Sequence, residues 1–506
     1  MPAAARPELD HGFVSTPQEY LDGRTIIYTR GKGLGGSSIL NFSVYLYGSG
    51  EDYNRWAEVV GDDSWRWENT QKAFQAMERF DTTGVKGYEY LANPNAKDHG
   101  HDGKIEVCLP AVLEDGVATS MDALINNGEK INLDPNSGDP IGISIFPSSN
   151  SKDGRTTSAT AHLVDGPDNL HIWTDAAMHR LVFEGTKVVG IETADGRKGR
   201  QIVIYLHASS WTDQCQVSCN KDVVLCGGAI DTPKMLLVNG IGPAEELQAH
   251  GIKVVKDMPG VGKNVGDHVM TFLVVEVDDS HNKKYAFEHD TVLMAEADAM
   301  WKKDKTGAFA VHNSSIWGGF LKAPGLEEWP EYKALDPAWQ EFLCRDRVPT
   351  YELIGNCTLI PPDAVLPEGS SYITGVALLM NPMSKGSVTL ASDKAADKPI
   401  IDLGFMTHPY DRRAMREAIR LTWTKLYENA DMKKYVKKTI FGPESLSDED
   451  IDAFIKVAAS TVWHVNGSVV MGKSEDPMAC VDTNFCVYGV EGLRVADLSV
   501  CPLTPK

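Results

Sequence analysis

Two strand–glycine–helix passages, and a long stretch after residue 270 in which strands and helices alternate, predict an α/β chain that is α+β overall. A Rossmann-like nucleotide domain and a second domain of mixed sheet and helices would account for both. The length of 506 residues exceeds one comfortable core and fits two or three structural units. Hydrophobic residues at 42% and charged residues at 24% are the balance of a soluble globular chain rather than a disordered one. A formal net charge of −21 speaks against nucleic acid or an anionic membrane surface as partner, since clustered Lys and Arg drive both. No apolar run approaches the roughly 18–20 residues of a spanning helix. The nine cysteines include no C-x-x-C pair, and Cys215 with Cys219 is the nearest spacing, so no metal site is expected. The first residues lack the apolar centre of a secretory signal, and the compartment is left open.

The first passage runs from a strand-like stretch at 25–29 into Gly31-Lys32-Gly33-Leu34-Gly35-Gly36, which spells G-x-G-x-x-G. Glu51 and Asp52 follow about 20 residues on, where a ribose-binding acid belongs. Glycines there bring backbone N–H groups up to phosphate at a helix N-terminus. Residues 52–80 read as helical, with 68–79 a good amphipathic helix, and 81–150 read as loop-dominated. Short strands are expected at 170–174, 180–183 and 188–192. The second passage is a buried strand at 222–226, then Gly227-Gly228 and a helix with Pro233 in its first turn. Beyond it, strands at 270–277, 375–380 and 387–390 and a helix at 411–429 suggest the second domain. The nucleotide domain is expected at 1–80, 155–270 and 460–506. The substrate domain and connecting loops take 81–154 and 271–459.

Four longer blocks refine this reading. They are Arg30 to Asn41 around the glycines; Gly228-Ala229-Ile230-Asp231-Thr232-Pro233 onward to Gly242; Pro259 to His268, ending Gly266-Asp267-His268; and Trp463-His464-Val465-Asn466-Gly467-Ser468, followed by Gly492 to Ser499. In this order they resemble the glucose–methanol–choline (GMC) family of FAD-dependent oxidoreductases, with Asn239 where that family usually has Ser.

The resemblance implies an FAD-binding Rossmann-like domain in which the opening hexapeptide is a second flavin contact rather than the dinucleotide turn. It implies cofactor contacts from Gly33, Gly35, Gly36, Ser37 and Asn41, and from the backbone near Phe42 and Val44. Met178 is placed at the adenine, and Trp463 and Asp497 beside the cofactor in the two parts of the last block. His464 is implied as the catalytic base, since an imidazole suits removal of a hydroxyl proton; His268 is expected to be structural. The family's N-terminal fingerprint and a second His or Asn partner of His464 would fall outside this sequence, leaving the FAD domain incomplete at its N-terminus and FAD weakly held. Residues 205–220 look like an insertion. The implied activity is oxidation of a small, aromatic or polyketide-derived alcohol to aldehyde or ketone in secondary metabolism, with oxygen or another electron acceptor. A hydroxynitrile lyase on the same scaffold, or an inactive truncated member, is the alternative.

Overall fold

The structure is a computed structural model. It describes residues 6–193, apart from 84, 111–112 and 152, and residues 215–506, apart from 283–286, 288–289, 312–315 and 358–369. Near the N-terminus, Phe13–Val14 pairs antiparallel with Ile27–Tyr28. Helix α1 (Gly50–Val60) is capped by the Ser49 hydroxyl, which accepts from the Glu51 N–H at 3.1 Å, and closed by Gly61 at φ +73°. Helix α2 (Trp67–Met77) stops two residues short of its expected end. Glu78 there enters strand β1 (Glu78–Asp81), which pairs parallel with β2 (Ile105–Cys108). The supposedly loop-dominated region also holds α3 (Val117–Asn126), whose buried Val117, Met121 and Leu124 recur at helical spacing.

Strands β3 (Met178–Glu184) and β4 (Lys187–Thr193) form the expected hairpin, and β5 (Cys215–Ser218) adds to its β4 edge. Residues 215–218 of the presumed insertion are therefore part of a sheet, while 205–214 lie outside the described residues. The strand expected at 170–174 does not form. No ladder partner lies beside it among the described residues, and His171, Trp173 and Thr174 line a cavity instead. Strand β6 (Val223–Leu225) pairs parallel with the last strand of the chain, Leu493–Val495. It is not the buried strand its composition suggests: Val224 is 46% exposed, because the other side of β6 borders the same cavity.

Helix α4 (Gly228–Val238) starts at the second glycine, so Pro233 falls in its middle rather than its first turn. A proline has no N–H to give the carbonyl four residues back, which is that of Ala229. The Ser468 hydroxyl takes its place, donating to Ala229 O at 2.7 Å with both residues buried. Ser468→Ala is expected to lower unfolding free energy by about 1–2 kcal/mol by stranding that carbonyl, which urea titration would measure.

The largest sheet is built from β7 (Val269–Val277), β8 (Trp317–Leu321), β9 (Tyr351–Cys357), β10 (Ser371–Leu379) and β11 (Val436–Phe441), in spatial order β8-β9-β10-β7-β11. All of its neighbours run antiparallel, and the short β12 (Ser460–Thr461) joins the start of β7. Alternation divides its side chains between two faces. Trp317, Tyr351, Leu353, Ala377 and Leu379 pack with Ala414, Met415 and Ala418 of α5 (Pro409–Trp423). That helix continues as a π-turn over Thr424–Glu428, matching the expected span. The opposite face carries Met270, Phe272, Phe320, Val376 and Leu378. The segment after β12 crosses the edge of that second face, so the end of the sheet sets where residues 462–464 lie.

Candidate active site

The glycine loop lacks the surroundings of a dinucleotide turn. Its preceding strand is antiparallel, and only a 3-10 turn, Gly36–Ile39, follows it. Both acids that could have held a ribose are engaged: Glu51 pairs with Arg345 at 3.4 Å and with Arg347, and buried Asp52 pairs with Lys506 at 2.6 Å. The loop closes on itself. A Cβ on Gly31 would lie 2.3 Å from the Gly36 carbonyl oxygen, and the Gly31 N–H donates to Ser37 Oγ at 3.1 Å. Gly36, at φ +52°, has open space where a side chain would be.

Gly33, Gly35 and Gly36 border a cavity of about 860 Å³, together with Met178 and Asp497 from distant segments. Asp497 Oδ2 accepts from the Gly228 N–H at 3.0 Å and from the Thr232 hydroxyl at 2.6 Å, tying the last block to the N-terminus of α4. On the far side of the loop, Asn41 Oδ1 accepts from the Ser43 N–H at 3.1 Å and from Arg155 at 2.5 Å. Phe42 is 42% exposed with its ring 6.3 Å from that of Trp463, and Val44 bridges to Ser148. The expected cofactor residues thus form two groups, one along the cavity and one leading to Trp463 and His464.

His464 is held by its main chain. Buried Asp267, two residues before β7, accepts the His464 N–H on Oδ1 at 2.9 Å. Its Oδ2 accepts the hydroxyls of Tyr28 and Thr461, each at 2.5 Å, and Tyr28 Oη in turn accepts the Val465 N–H at 3.0 Å. Burial lifts the Asp267 carboxyl to about 6 against these hydrogen bonds. Trp463 sits at φ +61°, a left-handed conformation that costs a bulky residue about 1–3 kcal/mol. Two bonds hold it there: its N–H donates to Thr461 Oγ1 at 2.7 Å, and Arg30 donates to its carbonyl at 2.5 Å.

The ring of His464 meets that of His268, Nδ1 to Nδ1, at 3.1 Å. His268 Nε2 lies 3.2 Å from the Met380 carbonyl oxygen, which can only accept, so Nε2 carries a hydrogen. Burial, followed by the charges of His464, Lys506 and Lys385, holds His268 well below the usual imidazole range and hence neutral. Its Nδ1 is then a lone pair, and the proton between the rings belongs to His464 Nδ1. Partial desolvation by the protein packed around its ring, and after it the charge of Arg30, brings His464 itself down to about 4, although the residue is open to solvent. By elimination, the neutral His464 has its free lone pair on Nε2. His268, expected to be merely structural, fixes which nitrogen can take a proton. The signal was its adjacency to Asp267 in the third block, but the tautomer depends on a carbonyl no local pattern reveals.

Comparison with known proteins decides the family. Residues 12–270 and 382–506 match the two family profiles described as GMC oxidoreductase. The chain belongs to the GMC oxidoreductases. Among the relatives of this GMC oxidoreductase is the alcohol dehydrogenase [acceptor] of Pseudomonas putida, 30% identical over 98% of this chain and 82% of its own length. Patulin synthase of Penicillium expansum is 28% identical over 99% of this chain and 78% of its own. An FAD-dependent oxidoreductase from Chaetomium thermophilum superposes with a TM-score of 0.86 over 100% of this chain and 88% of that one, at 24% identity. A fungal aryl-alcohol oxidase does so at 0.83 and 21% identity, over 98% and 86%.

The cofactor of these GMC oxidoreductases is FAD, and the cavity fits it. Gly33, Gly35 and Gly36 line the space, and Gly36, where a side chain would stand in the open, leaves its backbone accessible to a phosphate or a planar ring. Among the described residues no group of His, Cys, Asp and Glu is arranged to hold a metal, and no helix is long and apolar enough to cross a membrane.

Proposed function

We propose that this chain oxidises the CH–OH group of a small alcohol to an aldehyde or ketone, with His464 Nε2 accepting the hydroxyl proton. The observation that carries the reading is the neutral, solvent-accessible His464 whose one free lone pair is set by His268. Gly33, Gly35, Gly36, Met178 and Asp497 would hold FAD along the cavity, and Ser37, Asn41, Phe42, Val44 and Trp463 would hold it near the base. FAD, when bound, supplies the acceptor for the hydride that leaves the carbinol carbon. The residues do the rest. Asp267 fixes the imidazole through the main chain and His268 fixes its tautomer. The names of alcohol dehydrogenase, patulin synthase and aryl-alcohol oxidase among the related proteins support a small, aromatic or polyketide-derived alcohol, with oxygen or another electron acceptor completing the cycle.

Anaerobic addition of a benzylic alcohol to the flavin-loaded protein is expected to bleach the flavin. Cyanide release from mandelonitrile without bleaching would replace this reading with the lyase one. The tautomer has its own test. His268→Phe removes the acceptor for His464 Nδ1–H and is expected to slow oxidation by about 10- to 100-fold, the range seen when orienting partners of ligating imidazoles are lost. His268→Asn restores an acceptor oxygen near the same place and is expected to recover most of the rate. Nitrogen-15 NMR of labelled histidine is expected to show the unprotonated nitrogen of His464 at Nε2 in the wild type and mixed tautomers in His268→Phe.

A further inference from the structure

The sheet face that leads to His464 is largely apolar, and near His464 one charged side chain stands in it. Strand register sets Phe320, Glu352, Leu378 and Met270 side by side across β8, β9, β10 and β7. Phe146, Phe272 and Val376 pack on the same face, with Val462 and Trp463, the two residues before His464, at its rim. Glu352 stands among them, 8% exposed, and among the described residues nothing donates to its carboxyl or pairs with it. Burial alone lifts that carboxyl to about 8. A carboxyl left unpaired in an apolar setting weakens the fold, whereas an apolar residue of similar size would pack without penalty. A purely structural role gives no reason to keep it.

Its position suggests what meets it. Strands spaced about 4.8 Å apart, and a rise of about 3.4 Å per residue, put the Glu352 backbone on the order of 12 Å from that of His268. Both positions lie on the same face of the sheet, two strands and two residues apart. Ligand pockets combine apolar walls with very few polar groups, and those few select the ligand.

We propose that Glu352 anchors the far end of the substrate, so that the preferred substrate is an alcohol carrying a second hydrogen-bond donor, a hydroxyl or an amine, across an aromatic ring or similar apolar spacer from the reacting carbinol. This rests on the alcohol-oxidising reading above and adds the substrate class to it. The apolar middle of the molecule packs against Phe320, Leu378 and Met270. The far donor satisfies the carboxyl, and the near hydroxyl meets His464.

The test compares benzyl alcohol with 1,4-benzenedimethanol on the flavin-loaded wild type, Glu352→Gln and Glu352→Leu. The wild type is expected to favour the diol in kcat/KM by on the order of 100-fold, since a site built to bond a polar group discriminates against its absence. Glu352→Leu is expected to lose that preference through a higher KM for the diol, with benzyl alcohol little changed. An unchanged preference overturns the proposal. Infrared difference spectra on adding the diol read the carboxyl directly, whether or not the diol is then oxidised. A carboxyl band that shifts in the wild type and is missing from Glu352→Gln supports the anchor, and no shift refutes it even if every alcohol bleaches the flavin. Glu352→Leu is also expected to melt at the same or a higher temperature, as removal of an unpaired buried acid should. A clear drop would mean that the acid serves the fold.

Discussion

His464→Ala is expected to lower kcat/KM for alcohol oxidation by about 10²- to 10⁴-fold, the usual contribution of a positioned general base, or about 3–5 kcal/mol of barrier. Folding and flavin content are expected to survive. Asp267 grips the main-chain N–H of residue 464, which alanine retains, and the hydroxyls of Tyr28 and Thr461 keep their places on the same carboxylate. Flavin absorbance and melting temperature of the variant check that separation. The pH profile offers a second check on the same residue. Crowding by the surrounding protein and the charge of Arg30 hold the His464 ring at about 4, so its lone pair is available above that value and lost as pH falls through it. The acid limb of kcat/KM is expected near 4. A limb near the unperturbed imidazole value of about 6.5 would show that His464 in this environment is not the titrating group.

His99→Leu is expected to be the most destabilising single change in the described structure away from the site, by about 3–5 kcal/mol in urea unfolding. Both ring nitrogens of the buried His99 are bonded to carboxylates, Nδ1 to Glu78 Oε1 and Nε2 to Asp134 Oδ2, each at 3.1 Å. Burial pulls the imidazole down, but hydrogen bonds and charge from Asp134 and Glu78 outweigh it and bring the ring to about 9. Leucine would leave two acids facing each other without a cation. The effect has a pH signature. A histidine raised from about 6.5 unfolded to about 9 folded stabilises in full below the lower value and loses that contribution as pH rises through the upper one. The gap between wild type and His99→Leu is therefore expected to be wide at pH 6 and narrower at pH 10. A constant gap would mean that the ring acts by packing on Phe80, 3.9 Å away, rather than by charge.

How much of this was legible from sequence depends on how local each cause is. The hairpin β3–β4 carries its own turn residues, and β7 and β10 are largely apolar runs of strand length, so pattern alone finds them. The stretch 170–174 has the composition of a strand, but a strand also needs a neighbour, and composition does not supply one. Helix α3 was hidden because the Gly, Asn and Pro around it set the character of the window, while its own apolar spacing went unweighed. Pro233 was misplaced because the glycine pair before it looked like a loop end. What makes a mid-helix proline tolerable is Ser468, 235 residues downstream of it in a different block. At the site, His464 sits in a distinctive run of residues, so the sequence alone singles it out as a candidate. The part played by His268 depends on the carbonyl of Met380, and that of Glu352 on apolar neighbours from three other strands. Such roles arise only once the sheet is assembled.

Asp267 brings one further consequence. It gathers protons from positions 239, 194 and 197 residues away, at Tyr28, Thr461 and His464. Contacts this distant in sequence close late, because large loops must be ordered before they are rewarded. The imidazole therefore acquires its aim only when both extremes of the chain have been brought to the start of β7. A nascent or half-unravelled molecule carries the same histidine without direction, so reactivity is interlocked with completed folding and has no partial form to leak from.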